Sequence, residues 1–93
     1  MTDRELLEFA AKAADISFSH IDIGTWNPLA DNEDAFKLAV KLGITFRTKD
    51  GWATAGYPLK TGCEVHVAIV EDKYLSARIA ITKAASIIGE SMK

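Results

Sequence analysis

The hydrophobic and polar positions along this chain predict three helices and a small antiparallel sheet. Near the N-terminus, one apolar residue follows another at the spacing of a single helical face: Leu6, Phe9, Ala10 and Ala13. Thr2 and Glu5 lie three residues apart, which predicts a capping box at the start of this helix. The next apolar residues, from Ile16 to Ile23, change parity around Ser19 and His20, which predicts a short strand with a bulge or a break.

A second helix is predicted between the Trp26–Ala30 turn and Gly43. Asp31 or Asn32 caps its start, and Gly43 suits the left-handed position that follows a helix. Glu33 and Lys37 have the spacing of an ion pair along one helical face. The core side of this helix is predicted to consist of Ala35, Leu38, Ala39 and Leu42.

Alternating positions predict three strands after this helix. Ile44–Lys49 and Trp52–Ala55 flank Asp50-Gly51, a pair that is typical of a two-residue hairpin turn. The residues from Cys63 to Val70 also alternate, with Cys63, Val65, Val67 and Ile69 on the apolar side. A long helix is predicted from about Tyr74 to Ser91.

These elements predict a single α+β domain over residues 1–93. Its sheet is a three-stranded antiparallel meander with a short additional N-terminal strand, and three helices cover it. Periodicity alone favours a two-layer sandwich. The second face of the 63–70 strand is partly apolar and leaves room for a helix there too.

Composition and charge narrow the class of protein. The chain has 93 residues, of which 48% are hydrophobic and 26% charged, as in an ordinary globular domain. No apolar run approaches the about 18 residues of a transmembrane helix, and a single cysteine fits a reducing cytoplasm. The net charge of −2 argues against a general nucleic-acid coat. Residues 1–34 carry an acidic excess and residues 35–93 a basic one. Acidic residues at helix starts and basic residues at helix ends explain much of this difference, and the remainder is an alternative signal of self-association or a charged partner.

The candidates for catalysis are two pairs of residues two positions apart. His20 with Asp22, and Glu64 with His66, raise the alternative of a small metal-dependent or hydrolytic enzyme. Cys63 and His66 have opposite parity, which places them on opposite faces of a regular strand. We therefore predict no catalytic set, no metal site and no cofactor.

The candidates for binding are exposed aromatic and basic residues. Arg47 and Lys49 share one strand face next to Trp52, which raises the alternative of nucleic-acid contact through residues 47–60. Trp26 and Asn27 are either a binding anchor or a structural staple for the second helix. The predicted binding surface comprises Trp26, Asn27, Arg47, Lys49, Trp52 and His66.

The second and third helices carry apolar residues beyond one core-facing stripe. Such helices are buried on more than one side, which predicts a homodimer. The alternative to a dimer is a three-layer monomer in which both helices are central, because such a monomer would bury the same apolar residues. The interface candidates are Phe36, Val40, Ile79 and Ile87.

The sequence also resembles the phage ABA sandwich domain, a family of small phage and prophage proteins. The likeness rests on the segment Trp26–Asp31, on Asp34-Ala35 and Leu38–Ile44, on the opening Glu5–Ala14, and on residues 77–80, 84–85 and 89–92. The resemblance implies helices on both faces of the sheet. It also implies an accessory protein of a phage or prophage, acting in the host cytoplasm on a host or phage protein, and it assigns no residue a catalytic role.

Overall fold

The structure, a computed structural model, describes residues 2–15, 26–56, 64–70 and 72–91. In this part of the chain the elements are α1 (Asp3–Ala13), α2 (Asn32–Leu42), β1 (Thr45–Lys49), β2 (Trp52–Gly56), β3 (Glu64–Ala68) and α3 (Lys73–Ser91). The predicted α+β fold is confirmed. The short strand predicted between residues 16 and 23 lies outside the described residues.

The starts of α1 and α2 have the predicted caps. The Thr2 hydroxyl accepts the Glu5 N–H at 3.2 Å, and the Glu5 carboxylate accepts the Thr2 N–H at 3.2 Å, which forms the capping box. Asp31 caps α2, because its carboxylate accepts the N–H groups of Glu33 and Asp34. Gly43 ends α2 with a φ of 69°, the left-handed conformation that glycine adopts without strain.

The three strands form an antiparallel sheet in the order β1-β2-β3. Lys49 pairs with Trp52, so the turn between them contains only Asp50 and Gly51. Both turn residues have positive φ, 54° and 81°, as a type I′ turn requires. The hairpin prediction is therefore confirmed, and its register follows from the turn.

α3 is the central element of the described fold, because it packs against all three strands and against both other helices. Its residues Ala80, Ile81, Ala84 and Ala85 are buried together with Ala53 and Ala55 of β2. Val65, Val67 and Ile69 complete the same apolar face of the sheet, called the inner face below. The wide apolar arc of α3 is thus largely buried within one copy of the chain.

α1 packs closely on α3 through small residues. The backbone of Phe9 lies so near Gly89 that a Cβ atom added at residue 89 would overlap the Phe9 carbonyl group. The predicted core side of α1 is partly wrong, since Phe9 and Ala13 are only half-buried. The buried residues are instead Leu6, Leu7, Ala10, Ala11 and Ala14. The close approach of the backbones explains the difference, because alanines fit this contact and a phenylalanine ring does not.

The described helices lie on the inner side of the sheet only. α3 covers the inner face, α1 and α2 pack on α3, and the opposite face consists of exposed or half-exposed residues. The described residues therefore form the two-layer arrangement, without a helix on the second face that the family resemblance implies. No described helix combines the length and the apolar character needed to cross a membrane.

Candidate binding face

The strand register places four of the predicted binding residues on one side of the sheet. Arg47 lies opposite Thr54, which lies opposite His66. In the next row Lys49 lies opposite Trp52. Because side chains alternate along a strand, these residues point away from α3. We call this side the outer face; it comprises Thr45, Arg47, Lys49, Trp52, Thr54, Gly56, Glu64, His66 and Ala68.

Trp52 is the one large apolar side chain of the outer face. Half of its surface (50%) is exposed. By contrast, Ala53, the next residue in the sequence, is buried on the inner face, and Val67, which pairs with Ala53, is half-buried there. Arg47 and Lys49 are exposed on the adjacent strand. An aromatic ring with two cations beside it offers a partner both apolar area and charge, and tryptophan and arginine are enriched at binding hot spots.

A row of polar contacts crosses β2 and β3 on the same face. The Thr54 hydroxyl lies 3.2 Å from Nδ1 of His66, and Nε2 of His66 lies 3.1 Å from the Glu64 carboxylate. These contacts hold the imidazole ring in one orientation, although all three residues remain at least partly exposed. The row supplies hydrogen-bonding groups in fixed positions beside Trp52.

The enzyme alternative has only one of its two pairs in the described structure. Glu64 and His66 contact each other directly, while His20, Asp22 and Cys63 lie outside the described residues. Among the described residues, no three His, Cys, Asp or Glu side chains converge as metal ligands would. The Glu64–His66 pair is an exposed contact between a carboxylate and an imidazole ring, and it defines no reaction.

Trp26 and Asn27 lie away from the outer face, at the junction of the helices. Trp26 packs against both groups of core residues, one of which is formed by Leu7 and Ala11 of α1. The Asn27 side chain accepts the Leu29 N–H at 3.1 Å, and the Asn27 N–H donates to Asp34 at 2.9 Å. These contacts are those of a structural turn rather than of an exposed anchor.

Arg78 is a structural residue that the sequence analysis missed. From the middle of α3, its Nε donates to the Leu29 carbonyl at 3.0 Å, and its terminal nitrogen donates to the Asn32 side chain. It therefore connects the turn before α2, and the first residue of α2, to α3. Nothing in the local sequence indicates a contact between residues 46 positions apart.

The four dimer candidates occupy different surroundings. Phe36 and Val40 lie on the exposed side of α2, with 59% and 65% of their surfaces accessible. Ile79 is half-buried and lines a cavity shared with Leu7 of α1. Ile87 is 37% exposed. It lies nine positions, or two and a half helical turns, beyond Arg78, so it is on the side of α3 opposite the Arg78 contact with α2.

Comparisons with known proteins do not assign the chain to a family. No family model, no curated protein and no solved structure matches it. The resemblance to phage ABA sandwich domains therefore stays a prediction based on the residues quoted for it.

Proposed function

We propose that this chain is a small, non-catalytic binding module that contacts another protein through the outer face of its sheet. The observation that carries the proposal is the register, which collects Arg47, Lys49, Trp52 and His66 on one exposed surface. Trp52 has no evident role in the core, because the inner face is completed by Ala53 and Ala55. An exposed tryptophan among charged residues is a common feature of protein-binding surfaces.

The charge of the surface favours a protein partner over nucleic acid. The chain as a whole has a net charge of −2, and Glu64 introduces a carboxylate among the basic residues of the outer face. A mixed surface of this kind suits a partner that also carries both charges. With the resemblance quoted above, the proposal is an accessory protein of a phage or prophage that binds a host or phage protein in the host cytoplasm.

Site-specific photo-crosslinking tests the proposal. A photoreactive amino acid replaces Thr54, at the centre of the outer face, and in a matched control it replaces Lys83, an exposed residue of α3 on the other side of the molecule. We expect the first variant to form an adduct of defined mass with one cellular protein and the second to form none. Equal adducts from both positions, or none from Thr54, would contradict the proposal.

One observation favours nucleic acid as a second candidate partner. Arg47, Lys49 and Trp52 share the outer face, and single strands bind by stacking bases on aromatic rings beside basic groups. Affinity for a fluorescent oligothymidylate at low salt, lost in Trp52→Ala and weakened by added salt, would support this candidate. Absence of binding even at low salt would exclude it.

We also propose that the chain forms a homodimer through the exposed side of α2. Phe36 and Val40 lie one helical turn apart there and leave an apolar surface in contact with solvent. Light scattering is expected to give about twice the mass of one chain, and Val40→Glu is expected to restore a single chain. A mass of 10.1 kDa for the unmodified protein at micromolar concentration would contradict the dimer.

A further inference from the structure

The β1 strand forms one edge of the described sheet. β1 pairs with β2, no described strand lies beyond it, and all five of its residues are exposed. Open strand edges present N–H and C=O groups that can pair with another extended chain. The edge is therefore a second surface of this molecule, adjacent to the outer face and made mainly of backbone groups.

The hairpin turn determines which backbone groups point towards this edge. In a hairpin with a two-residue turn, the residues that flank the turn, here Lys49 and Trp52, exchange hydrogen bonds with each other. Bonded and non-bonded pairs then alternate along the ladder. The N–H and C=O groups of Phe46 and Thr48 accordingly point away from β2, towards the edge.

A cleft of about 210 Å³ lies between the inner side of β1 and the first turns of α3. Its apolar walls are Phe46, which is 43% exposed, Tyr74, which is 60% exposed, and Ala77. A strand added at the β1 edge would lie about 4.8 Å further out, with alternate side chains directed to the inner side. Those side chains would meet this cleft.

The charged groups around the cleft are cations. Arg47 and Lys73 line it, and the Lys73 Nζ lies 5.9 Å from the centre of the Tyr74 ring. Lys49 is exposed on the same strand as Arg47. The nearby Asp72 carboxylate accepts the Tyr74 N–H at 2.9 Å and so caps the start of α3. No carboxylate lines the cleft itself among the described residues.

We propose that the β1 edge binds an extended segment of another protein that alternates apolar and acidic residues. The backbone of the segment pairs with Phe46 and Thr48, and its apolar side chains enter the cleft beside Tyr74. Its carboxylates alternate with them along the strand, so they point to the other side and meet Arg47 and Lys49. Strand addition of this kind combines main-chain hydrogen bonds with pockets for alternate side chains. The backbone pairing and the cleft belong to the β1 edge, and only the Arg47 and Lys49 side chains are shared with the outer face.

Two matched libraries of nine-residue peptides test the proposal. Both carry apolar residues at alternate positions; one carries Asp or Glu between them and the other Lys or Arg. We expect binders from the acidic library only, with an affinity that falls as salt is added. Hydrogen exchange with the best binder is expected to protect the amides of Phe46 and Thr48.

Two variants separate the edge from other sites. Thr48→Pro removes an N–H that points to the edge and leaves the β1–β2 bonds in place, so it is expected to weaken binding at least tenfold. Arg47→Glu reverses an exposed charge on the side to which the carboxylates point, and it is expected to weaken the acidic binder while admitting members of the basic library. Trp52→Ala, on the outer face, is expected to leave the affinity unchanged.

Each of the following results would overturn the proposal. No peptide of either library binds, or both libraries bind equally well. The best binder protects amides elsewhere. Phe46 becomes protected without peptide as the protein concentration rises, which would assign the edge to a second copy of the chain. Loss of peptide binding in Trp52→Ala alone would move the site to the outer face.

Discussion

Two tryptophans of this chain have opposite roles, and only their surroundings distinguish them. Trp26 packs against the core at the junction of the helices, whereas Trp52 is half exposed on the outer face. Both follow turn-like or polar residues in the sequence. The local pattern alone therefore does not distinguish a residue that binds a partner from one that packs the second helix against the core. The contacts of Asn27 with Leu29 and Asp34 decide it for Trp26.

Trp26→Ala is expected to destabilise the fold by about 3 kcal/mol. This value is at the lower end of the range for buried aromatic residues, because Trp26 is less exposed than Trp52 but not fully buried. Urea denaturation measures the loss. Trp26→Phe serves as the control and is expected to lose less, since it retains part of the apolar contact with Leu7 and Ala11. A Trp26→Ala variant as stable as the unmodified protein would contradict the structural role.

Gly51→Val is expected to cost about 1–2 kcal/mol, because a β-branched residue is strained at a φ of 81°. Space is not the cause, since no atom lies within 4 Å of an added Cβ. Gly51→Asn is the matched control, as asparagine tolerates the left-handed region. The melting temperatures of the three proteins give the comparison, and equal values would show that the turn has another conformation.

The ends of the helices could be predicted from the sequence, whereas the contacts of their sides could not. Caps depend on residues within one turn, so Thr2, Asp31 and Gly43 are sufficient to predict where α1 begins and where α2 begins and ends. The buried side of α1 depends on Gly89 of α3, which lies some 80 positions away in the chain. The long-range contact of Arg78 has the same cause.

Gly89→Ala is expected to destabilise the protein by about 1–3 kcal/mol or more, because the new methyl group meets the Phe9 backbone. In an isolated helix the same change is stabilising by about 1 kcal/mol, so the sign of the effect is diagnostic. Glu90→Ala, at the exposed neighbouring position, is the control and is expected to change stability little. Chemical denaturation measures both, and a stabilised Gly89→Ala variant would contradict the close packing of α1 on α3.

The capping box of α1 makes a pH-dependent contribution to stability. The Thr2 backbone N–H, and secondly its hydroxyl, donate to Glu5 and hold the pKa of that carboxyl below its ordinary value of 4.5. A lowered pKa means that the contribution is complete above the ordinary value and is lost as the pH falls through the lowered one. The difference in melting temperature between the unmodified protein and Glu5→Gln is therefore expected to be constant well above pH 4.5 and to shrink as the pH falls below that value. A difference independent of pH would contradict the capping contact.

At the scale of the whole molecule, the arrangement is a sheet with one face in the core and one face open. Parity along each strand predicted which residues share a face, and the Asp50-Gly51 turn predicted the pairing of β1 with β2. β2 and β3 are separated along the chain by residues 57–63, and nothing in the sequence of that connection predicts which residues of the two strands pair. The sequence could therefore propose Arg47, Lys49, Trp52 and His66 as candidates, but it could not place His66 opposite Thr54, in the same row as Arg47.

The variant Trp52→Thr distinguishes a role of the outer face in binding from a role in folding. Threonine keeps the strand preference of the position, so the free energy of unfolding is expected to fall by less than about 1 kcal/mol. The adduct formed by the crosslinker at Thr54 is expected to disappear in the same variant. A loss of stability as large as that of Trp26→Ala, with the adduct retained, would contradict the account.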